Sequence, residues 1–250
     1  MEIKGAEANE ALGLRTATGD ANGDGYDDLL VVGQGNESRG NAHIFYGPIT
    51  AGQHDTATAD ALLYGVSYAR IGYYTADFVD LDGDGSEEVV VSTESSDWRG
   101  LQIHHAPSGA RTLSQADATL YSGDSTNDNG FAAEMADLSG DGILDVACGE
   151  PEESRGFIVH GPISGTLDHE ADADSLINGT DTSGFLVSKL AAGDFNDDGY
   201  LDLAIGSQQS DHAAEDAGLV SVFSGPITSD IDPEDDYDFA AYGASPGNNL

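Results

Sequence analysis

The sequence predicts an all-β protein, a β-propeller built from four-stranded antiparallel blades. Three observations predict this fold: an Asp-rich loop that recurs four times, short β-rich runs that recur beside each loop, and no segment of helical periodicity between them. Four-stranded units that repeat along a chain are typical of propeller blades. The 33 glycines among 250 residues suit many short strands joined by tight turns.

The four loops begin at Asp20, Asp80, Asp137 and Asp194, so consecutive loops are 60, 57 and 57 residues apart. The segment before each loop, such as 12–20, supplies a first strand. The second strands are predicted at 29–33, 89–92, 146–149 and 203–206, and the third, each ending in proline, at 41–48, 101–107, 156–162 and 219–226. The fourth strands are predicted at 61–65, 118–123, 174–179 and 238–243. A parallel β-helix needs much shorter repeats, and a sandwich would not repeat its loop chemistry.

These runs divide residues 1–250 into blades at about 12–65, 71–123, 129–179 and 186–243, with 1–11 and 244–250 as overlapping edge segments. Residues 3–12 match 241–250, so the chain holds four full repeats and one overlapping stretch. This arrangement favours part of a larger ring or array. A closed four-bladed ring and an eight-bladed ring formed by two chains are the alternatives.

The charge of the chain excludes several classes of partner. Eight Lys and Arg stand against 46 Asp and Glu, which gives a formal net charge of -38. Such a chain repels phosphate backbones and anionic lipid, so neither nucleic acid nor a membrane surface is an expected partner, whereas metal cations are. No stretch approaches the roughly 20 apolar residues that cross a bilayer, so direct membrane insertion is not expected. Cys148 is the single cysteine, so the chain has no intrachain disulfide.

The Asp-rich loops have the ligand spacing of a calcium site. Oxygen-bearing side chains occupy positions 1, 3, 5 and 9, and position 6 is always glycine, which permits the sharp turn that brings alternate side chains to one point. Position 7 varies in side chain, as expected where the backbone carbonyl is the ligand. Ca²⁺ takes 6–8 oxygen ligands, whereas Mg²⁺ keeps its waters and a rigid octahedron.

The chain is therefore expected to bind up to four Ca²⁺ ions. The predicted metal ligands are Asp20, Asn22, Asp24, Tyr26 and Asp28 in the first loop; Asp80, Asp82, Asp84, Ser86 and Glu88 in the second; Asp137, Ser139, Asp141, Ile143 and Asp145 in the third; and Asp194, Asn196, Asp198, Tyr200 and Asp202 in the fourth. Ser139 makes the third loop the weakest site, and Glu88 is expected to shift the coordination in the second.

Two other interpretations of the loops are less consistent with the sequence. The helix–loop–helix calcium site needs a bidentate Glu at position 12, but that position holds Val31, Val91, Cys148 or Ile205. Asn-Gly and Asp-Gly pairs also mark plain hairpin turns. Four copies with acids at positions 1, 5 and 9 argue against that simpler interpretation.

On these residues the chain resembles FG-GAP repeats, the calcium-binding blades of integrin α-subunit propellers and of many secreted bacterial proteins. The Phe-Gly pair of that family appears as Leu12-Gly13, Ile71-Gly72, Asn129-Gly130 and Leu186-Val187, and its Gly-Ala-Pro element as Gly149-Glu150-Pro151. The resemblance implies a propeller, usually of seven blades, with calcium in loops between inner strands. It also implies a role in adhesion or ligand binding.

The expected function is a calcium-binding extracellular module, secreted or at the cell surface. Its expected partners are a protein or carbohydrate ligand there and further propeller blades of the same or another chain. A structural spacer in a large surface protein is one alternative, and the propeller of a calcium-dependent polysaccharide-active enzyme is another. No nucleophile elbow, phosphate-binding loop or zinc spacing occurs, so no catalytic residue is assigned and an enzyme is not expected.

Two further patterns fall outside the loops. Arg39, Arg99 and Arg155 each precede the third strand of a repeat and are expected to pair with nearby carboxylates. His104 and His105 are adjacent on one strand, so their side chains are expected on opposite faces, one buried and one solvated.

Overall fold

A computed structural model describes residues 2–6, 8–35, 38–66, 68–94, 99–121, 132–150, 155–168, 171–179, 187 and 189–243. This part of the chain is all-β, with twenty strands and two single-turn 3-10 helices at Thr56–Thr58 and Leu113–Gln115. None of its helices is long and apolar enough to cross a bilayer. The predicted fold class is therefore confirmed at the level of secondary structure.

The strands follow the predicted order within each repeat. Those of the first two repeats are β1 (Glu2–Lys4), β2 (Leu12–Gly19), β3 (Asp28–Gly33), β4 (Asn41–Phe45), β5 (Gln53–Asp55), β6 (Ala61–Tyr64), β7 (Ala76–Val79), β8 (Glu88–Thr93), β9 (Gly100–His104), β10 (Gly109–Thr112) and β11 (Ala118–Tyr121). Those of the last two are β12 (Ala132–Ala136), β13 (Asp145–Glu150), β14 (Arg155–Val159), β15 (Gly165–Asp168), β16 (Ser175–Asn178), β17 (Lys189–Gly193), β18 (Asp202–Ser207), β19 (Leu219–Phe223) and β20 (Phe239–Tyr242).

The chain divides into two compact units, Met1–Gly130 with Ser164–Leu167 and Phe131–Ile163 with Asp168–Leu250. The first unit contains the sheets β10-β6-β4-β3-β2 and β15-β11-β9-β8-β7, and the second contains β12-β13-β14-β16 and β17-β18-β19-β20. In each of these four sheets the four strands of one repeat pair antiparallel with their neighbours in chain order. Each sheet is therefore one blade of the predicted kind.

The inner strands of each unit carry its core. Leu30 and Val32 on β3 and Val89 and Val91 on β8 are fully buried in one cluster of the first unit. These residues are two apart along their strands, and residues two apart share one face of a sheet. In the second unit Ala147, Ile158, Leu203 and Ile205 form the corresponding cluster. The packing of these apolar faces within each unit holds the Asp-rich loops at the ends of rigid strands.

A fifth strand extends the first two blades and was not predicted. Strands β5, β10 and β15 come from the repeat that follows, and β5 and β10 pair in parallel with the fourth strands β1 and β6. Ile231 continues the pattern with an isolated parallel bridge to Ile177. These segments are half-exposed and carry no apolar run, so sequence periodicity does not reveal them. The prediction of four strands per blade is thus corrected to four plus a strand that ties each repeat to the one before it.

Arg155 pairs with a carboxylate, as its position before the third strand predicted. It lies opposite Glu150 in the β13–β14 pair, and its Nε is 2.7 Å from Glu150 Oε2. Arg99 is buried. Burial raises the pKa of Glu94, and the positive charge of Arg99 partly opposes this effect. The predicted Phe-Gly equivalents at 129–130 and 186 lie outside the described residues, as does Pro151.

His104 is a buried polar residue in a position that is otherwise apolar. It ends β9 opposite Val89, and its side chain is fully buried, whereas 40% of the His105 side chain is exposed. Neither ring nitrogen of His104 makes a hydrogen bond to any residue that the structure describes. Burial lowers its pKa to about 4, although the Asp117 carboxylate acts in the opposite direction. Phe45, Val159 and Phe223 end the equivalent strands.

We expect His104→Phe to raise the free energy of unfolding at pH 7 by about 1–2 kcal/mol, because it removes two buried nitrogens that lack hydrogen bonds. Phenylalanine is the residue at this position in two other repeats. The gain should grow as the pH falls from about 6.5 towards 4. In that range the unfolded chain binds a proton at His104 that the folded chain does not bind, so the parent loses stability there. Urea unfolding of both proteins between pH 7 and pH 4.5 measures the difference, and parallel pH profiles would contradict it.

Candidate metal centre

Each Asp-rich loop joins the first and second strands of a repeat. The first runs from the end of β2 at Gly19 to the start of β3 at Asp28, and the same arrangement recurs between β7 and β8, β12 and β13, and β17 and β18. Position 9 of the loop is therefore the first residue of a central strand. The sequence predicted this placement between inner strands.

The carboxylate at position 1 closes the loop upon itself. One of its oxygens accepts the N–H of the position 6 glycine at 2.8 Å in the first loop and at 3.0 Å in the other three. Its other oxygen accepts an N–H from position 4 or 5 at 2.8–3.2 Å. The loop backbone thus wraps around the position 1 side chain in all four repeats.

The carboxylate at position 5 also accepts a backbone N–H from its own loop. Its Oδ1 accepts the N–H of position 7 at 2.8–2.9 Å in all four loops. This bond uses the position 7 N–H and one carboxylate oxygen. The other oxygen, Oδ2, accepts the Asn196 side-chain amide at 2.9 Å in the fourth loop. Position 7 was predicted to be a backbone ligand.

Two positions of every loop have left-handed backbone. The position 6 glycines have φ values of 85° to 92°, as the sequence predicted. Position 4 is left-handed too, with φ of 70°, 76° and 78° at Gly23, Gly83 and Gly140 and 63° at Asp197. Sequence analysis missed position 4, although glycine at three of the four equivalent positions is a signal for it.

The acid at position 9 is buried in every repeat, unlike those at positions 1 and 5. Asp28, Glu88, Asp145 and Asp202 have at most 1% of their surface exposed. One oxygen of each accepts a loop N–H at 2.7–3.0 Å, from position 2 in the first, second and fourth loops and from Ser139 at position 3 in the third. In three repeats the other oxygen accepts the N–H of Gly47, Gly161 or Gly225, which follow the third strand, at 2.8–3.0 Å. This side chain therefore fastens the loop to the turn that leaves the third strand.

The second repeat departs from this arrangement at two coupled positions. A Cβ atom on Gly47 would lie 2.6 Å from the carbonyl oxygen of Asp27, and one on Gly161 or Gly225 would collide with the equivalent carbonyl. Ala106 carries such a Cβ, and its backbone has a φ of 34°. The longer Glu88 stands at position 9 of the same repeat. Its Oε1 makes no hydrogen bond within the described residues and lies 3.0 Å from Nδ1 of His105.

The chemistry of the loops suits a hard divalent cation. Asp80, Asp82 and Asp84 each offer a carboxylate oxygen, and these oxygens lie within 4.8 Å of one another. Burial raises the pKa of Asp28, and the negative charges of Asp20 and Asp24 raise it further. A cation among these carboxylates would oppose that effect. Carboxylate, amide and carbonyl oxygens are the ligands that Ca²⁺ prefers.

The twenty predicted ligands all lie in the described loops, and within each loop they occupy one short turn. Asn22 and Asn196 at position 3 each accept the N–H of position 5 at 2.9 Å. In the third loop that N–H goes to Asp137, and Ser139 Oγ is buried without a hydrogen-bond partner among the described residues. That hydroxyl remains available to a cation. Coordination of calcium by these residues stays a prediction.

Comparison with protein-family models supports the repeat assignment. A model described as FG-GAP repeat matches residues 12–45 and 187–223, and a model described as FG-GAP-like repeat matches residues 80–148. The matched segments include all four Asp-rich loops. A search of curated proteins finds no significant match.

Proposed function

Because the chain belongs to the FG-GAP repeat family, we propose that it is a calcium-binding module that acts outside the cell, secreted or on the cell surface, in adhesion or ligand binding. FG-GAP repeats are typical of extracellular proteins and form propellers. The observation that carries the calcium proposal is the shared hydrogen bonding of the four loops. In every repeat the same backbone N–H groups hold the carboxylates at positions 1 and 5.

The electrostatics of the chain support the same proposal. Each loop concentrates three to five acidic side chains in nine residues, in a protein whose net charge is -38. Such a loop is costly to hold closed unless a cation offsets the repulsion between its carboxylates. Extracellular modules bind calcium with dissociation constants of about 10⁻⁴–10⁻³ M, which matches the free calcium outside cells.

A group of exposed side chains at the end of the first blade away from its Asp-rich loop supports a binding role. Beyond the end of β6 in the first unit, Val66, Tyr68 and Tyr73 are 60%, 70% and 39% exposed. The Arg70 guanidinium lies 5.6 Å from the centre of the Tyr73 ring and pairs with Glu94 at 2.9 Å, which holds this segment in place. Exposed aromatic side chains on a rigid support favour a protein or carbohydrate ligand. A pure spacer has no need of such a surface.

The proposed role is non-catalytic. The propeller of a calcium-dependent polysaccharide-active enzyme is the second candidate, and abundant carboxylates alone do not favour it, because a pair at glycosidase spacing arises by chance in so acidic a chain. Further blades, from the same or another chain, are proposed as additional partners. Nucleic acid is not proposed, because the net charge opposes it.

Calorimetric titration of the calcium-stripped chain with Ca²⁺ tests the proposal, with an expected stoichiometry of four ions per chain. Asp24→Asn should lower it to three, because the amide keeps the oxygen that accepts the Tyr26 N–H but removes the charge at position 5. Asp27→Asn is the matched control. Asp27 is exposed at position 8 of the same loop and is not a predicted ligand, so the variant should still bind four ions. No calcium binding by the parent, or equal losses in both variants, would overturn the proposal.

A further inference from the structure

The second repeat places a histidine ring against its Asp-rich loop. The residue before the turn that leaves the third strand is Tyr46, His105, His160 or Ser224 in the four repeats. In each case its backbone N–H donates to an aspartate before the fourth strand at 2.8–2.9 Å, so the four side chains start from equivalent positions. What they contact can therefore be compared directly.

The His105 ring lies against two acids of its loop. Its Nδ1 is 3.0 Å from Glu88 Oε1, and its Nε2 is 3.8 Å from Asp82 Oδ2. The His160 ring turns away from its loop, with Nε2 3.2 Å from the carbonyl oxygen of Ile227. Ser224 does contact position 3 of its own loop, where the Asn196 amide donates to its hydroxyl at 3.3 Å. The second repeat thus replaces a neutral hydrogen bond by an imidazole between two carboxylates.

Glu88 provides a second, independent indication of a ligand. Its side chain is 1% exposed, and Oε2 accepts the Leu81 N–H at 2.8 Å. Its Oε1 points towards His105 and Asp82 but makes no hydrogen bond within the described residues, although the ring nitrogen is 3.0 Å away. Two ligands at about 2.1 Å from one ion and at right angles are roughly 3.0 Å apart. The spacing therefore suits a shared cation.

From this geometry we propose that the second repeat binds a transition-metal dication of the zinc or cobalt type through a ring nitrogen of His105, Glu88 Oε1 and Asp82 Oδ2. One potential ligand atom from each of these residues lies within 4.8 Å of the others. Imidazole nitrogen favours zinc, cobalt and nickel over calcium, which prefers oxygen. Asp82 turns its other oxygen, Oδ1, into the loop, where it accepts the Asp84 N–H at 3.1 Å. The site therefore shares Asp82 and Glu88 with the second loop, which is proposed to bind calcium when no transition metal is present.

Titration with Co²⁺ in the presence of millimolar Ca²⁺ tests this site. Calcium then occupies the other three loops, whereas at the second loop the His105 nitrogen favours Co²⁺ over Ca²⁺ for the shared ligands Asp82 and Glu88. The parent chain should bind one Co²⁺ with micromolar affinity and develop the visible absorption of a cobalt ion with a nitrogen ligand. His105→Ser should weaken this binding at least tenfold and remove the absorption. Serine is the residue of the fourth repeat at this position, so the variant is expected to fold. His160→Ser is the matched control and should bind Co²⁺ like the parent.

The outcome for Co²⁺ is separable from that for calcium. His105→Ser should keep the parent's calcium stoichiometry. A parent chain that binds cobalt through His105 but binds no calcium would support this site and contradict the calcium proposal. Unchanged Co²⁺ binding in His105→Ser, or equal losses in both serine variants, would overturn it. If His105→Ser does not fold, ¹⁵N spectra of the parent histidine rings decide the matter. One imidazole must shift with Zn²⁺ in the folded parent, and no shift would count against the site.

Discussion

Replacing Asp202 with alanine is expected to lower the free energy of unfolding by about 2–4 kcal/mol, because it leaves two partly buried N–H groups without acceptors, at about 1–2 kcal/mol each. Asp202 is 1% exposed, and its oxygens accept the N–H groups of Phe195 at 2.8 Å and Gly225 at 3.0 Å. The loss should persist in excess chelator, since these bonds need no metal. Urea unfolding with and without chelator measures it.

Asp198→Ala is the matched control in the same loop. Asp198 is exposed, and its Oδ1 accepts the N–H of Tyr200 at the loop surface, where water can replace the acceptor. In chelator this variant should lose less than about 1 kcal/mol, because an exposed N–H pays no desolvation penalty. In millimolar calcium it should lose more, because position 5 is a predicted ligand. If Asp202→Ala were as stable as the parent in chelator, the position 9 acid would not hold the loop to its turn.

Removal of calcium is the second large effect that we expect. Four sites with dissociation constants of 10⁻⁴–10⁻³ M stabilise a folded chain by about 4–9 kcal/mol in total at 5 mM free calcium, through mass action. The melting temperature should therefore rise continuously with free calcium between about 0.1 and 10 mM. Thermal unfolding followed by circular dichroism across buffered calcium concentrations measures this dependence.

Ionic strength must be separated from specific binding in that experiment. The net charge of -38 destabilises the folded chain by self-repulsion, so any salt gives some protection by screening. Sodium chloride at matched ionic strength should recover only a minor part of the calcium effect, and Mg²⁺ should recover less than Ca²⁺ because it keeps its waters. A melting temperature that depended on ionic strength alone would show that the loops are closed without a cation.

The repeat pattern allowed the four-stranded blades to be predicted almost strand by strand. The predicted runs at 29–33, 89–92, 146–149 and 203–206 fall within β3, β8, β13 and β18. This success has a local cause, because the central strands carry apolar side chains on both faces and therefore appear in the sequence as short apolar runs. The fifth strands β5, β10 and β15 were missed because they are held by backbone pairing to another repeat and carry little apolar surface.

The loops show the same division between local and long-range determinants. Positions 1, 5 and 6 interact within nine consecutive residues, so their spacing in the sequence already specifies the turn. The second attachment of the position 9 acid joins Asp28 to Gly47 and Asp202 to Gly225, 19 and 23 residues away, and no spacing rule predicts such a partner. The coupled change to Glu88 and Ala106 becomes intelligible only with the turn and the loop side by side.

The sequence by itself determined the repeat, the antiparallel strands and the acidic turns, because each depends on residues close together in the chain. Tertiary structure decided which oxygens of those turns are already used by backbone N–H groups and which histidine faces them. His105 and His160 occupy equivalent positions in the sequence, yet one ring lies against Asp82 and Glu88 and the other against the Ile227 carbonyl. The difference arises because the direction of a side chain depends on the elements that fold back against it.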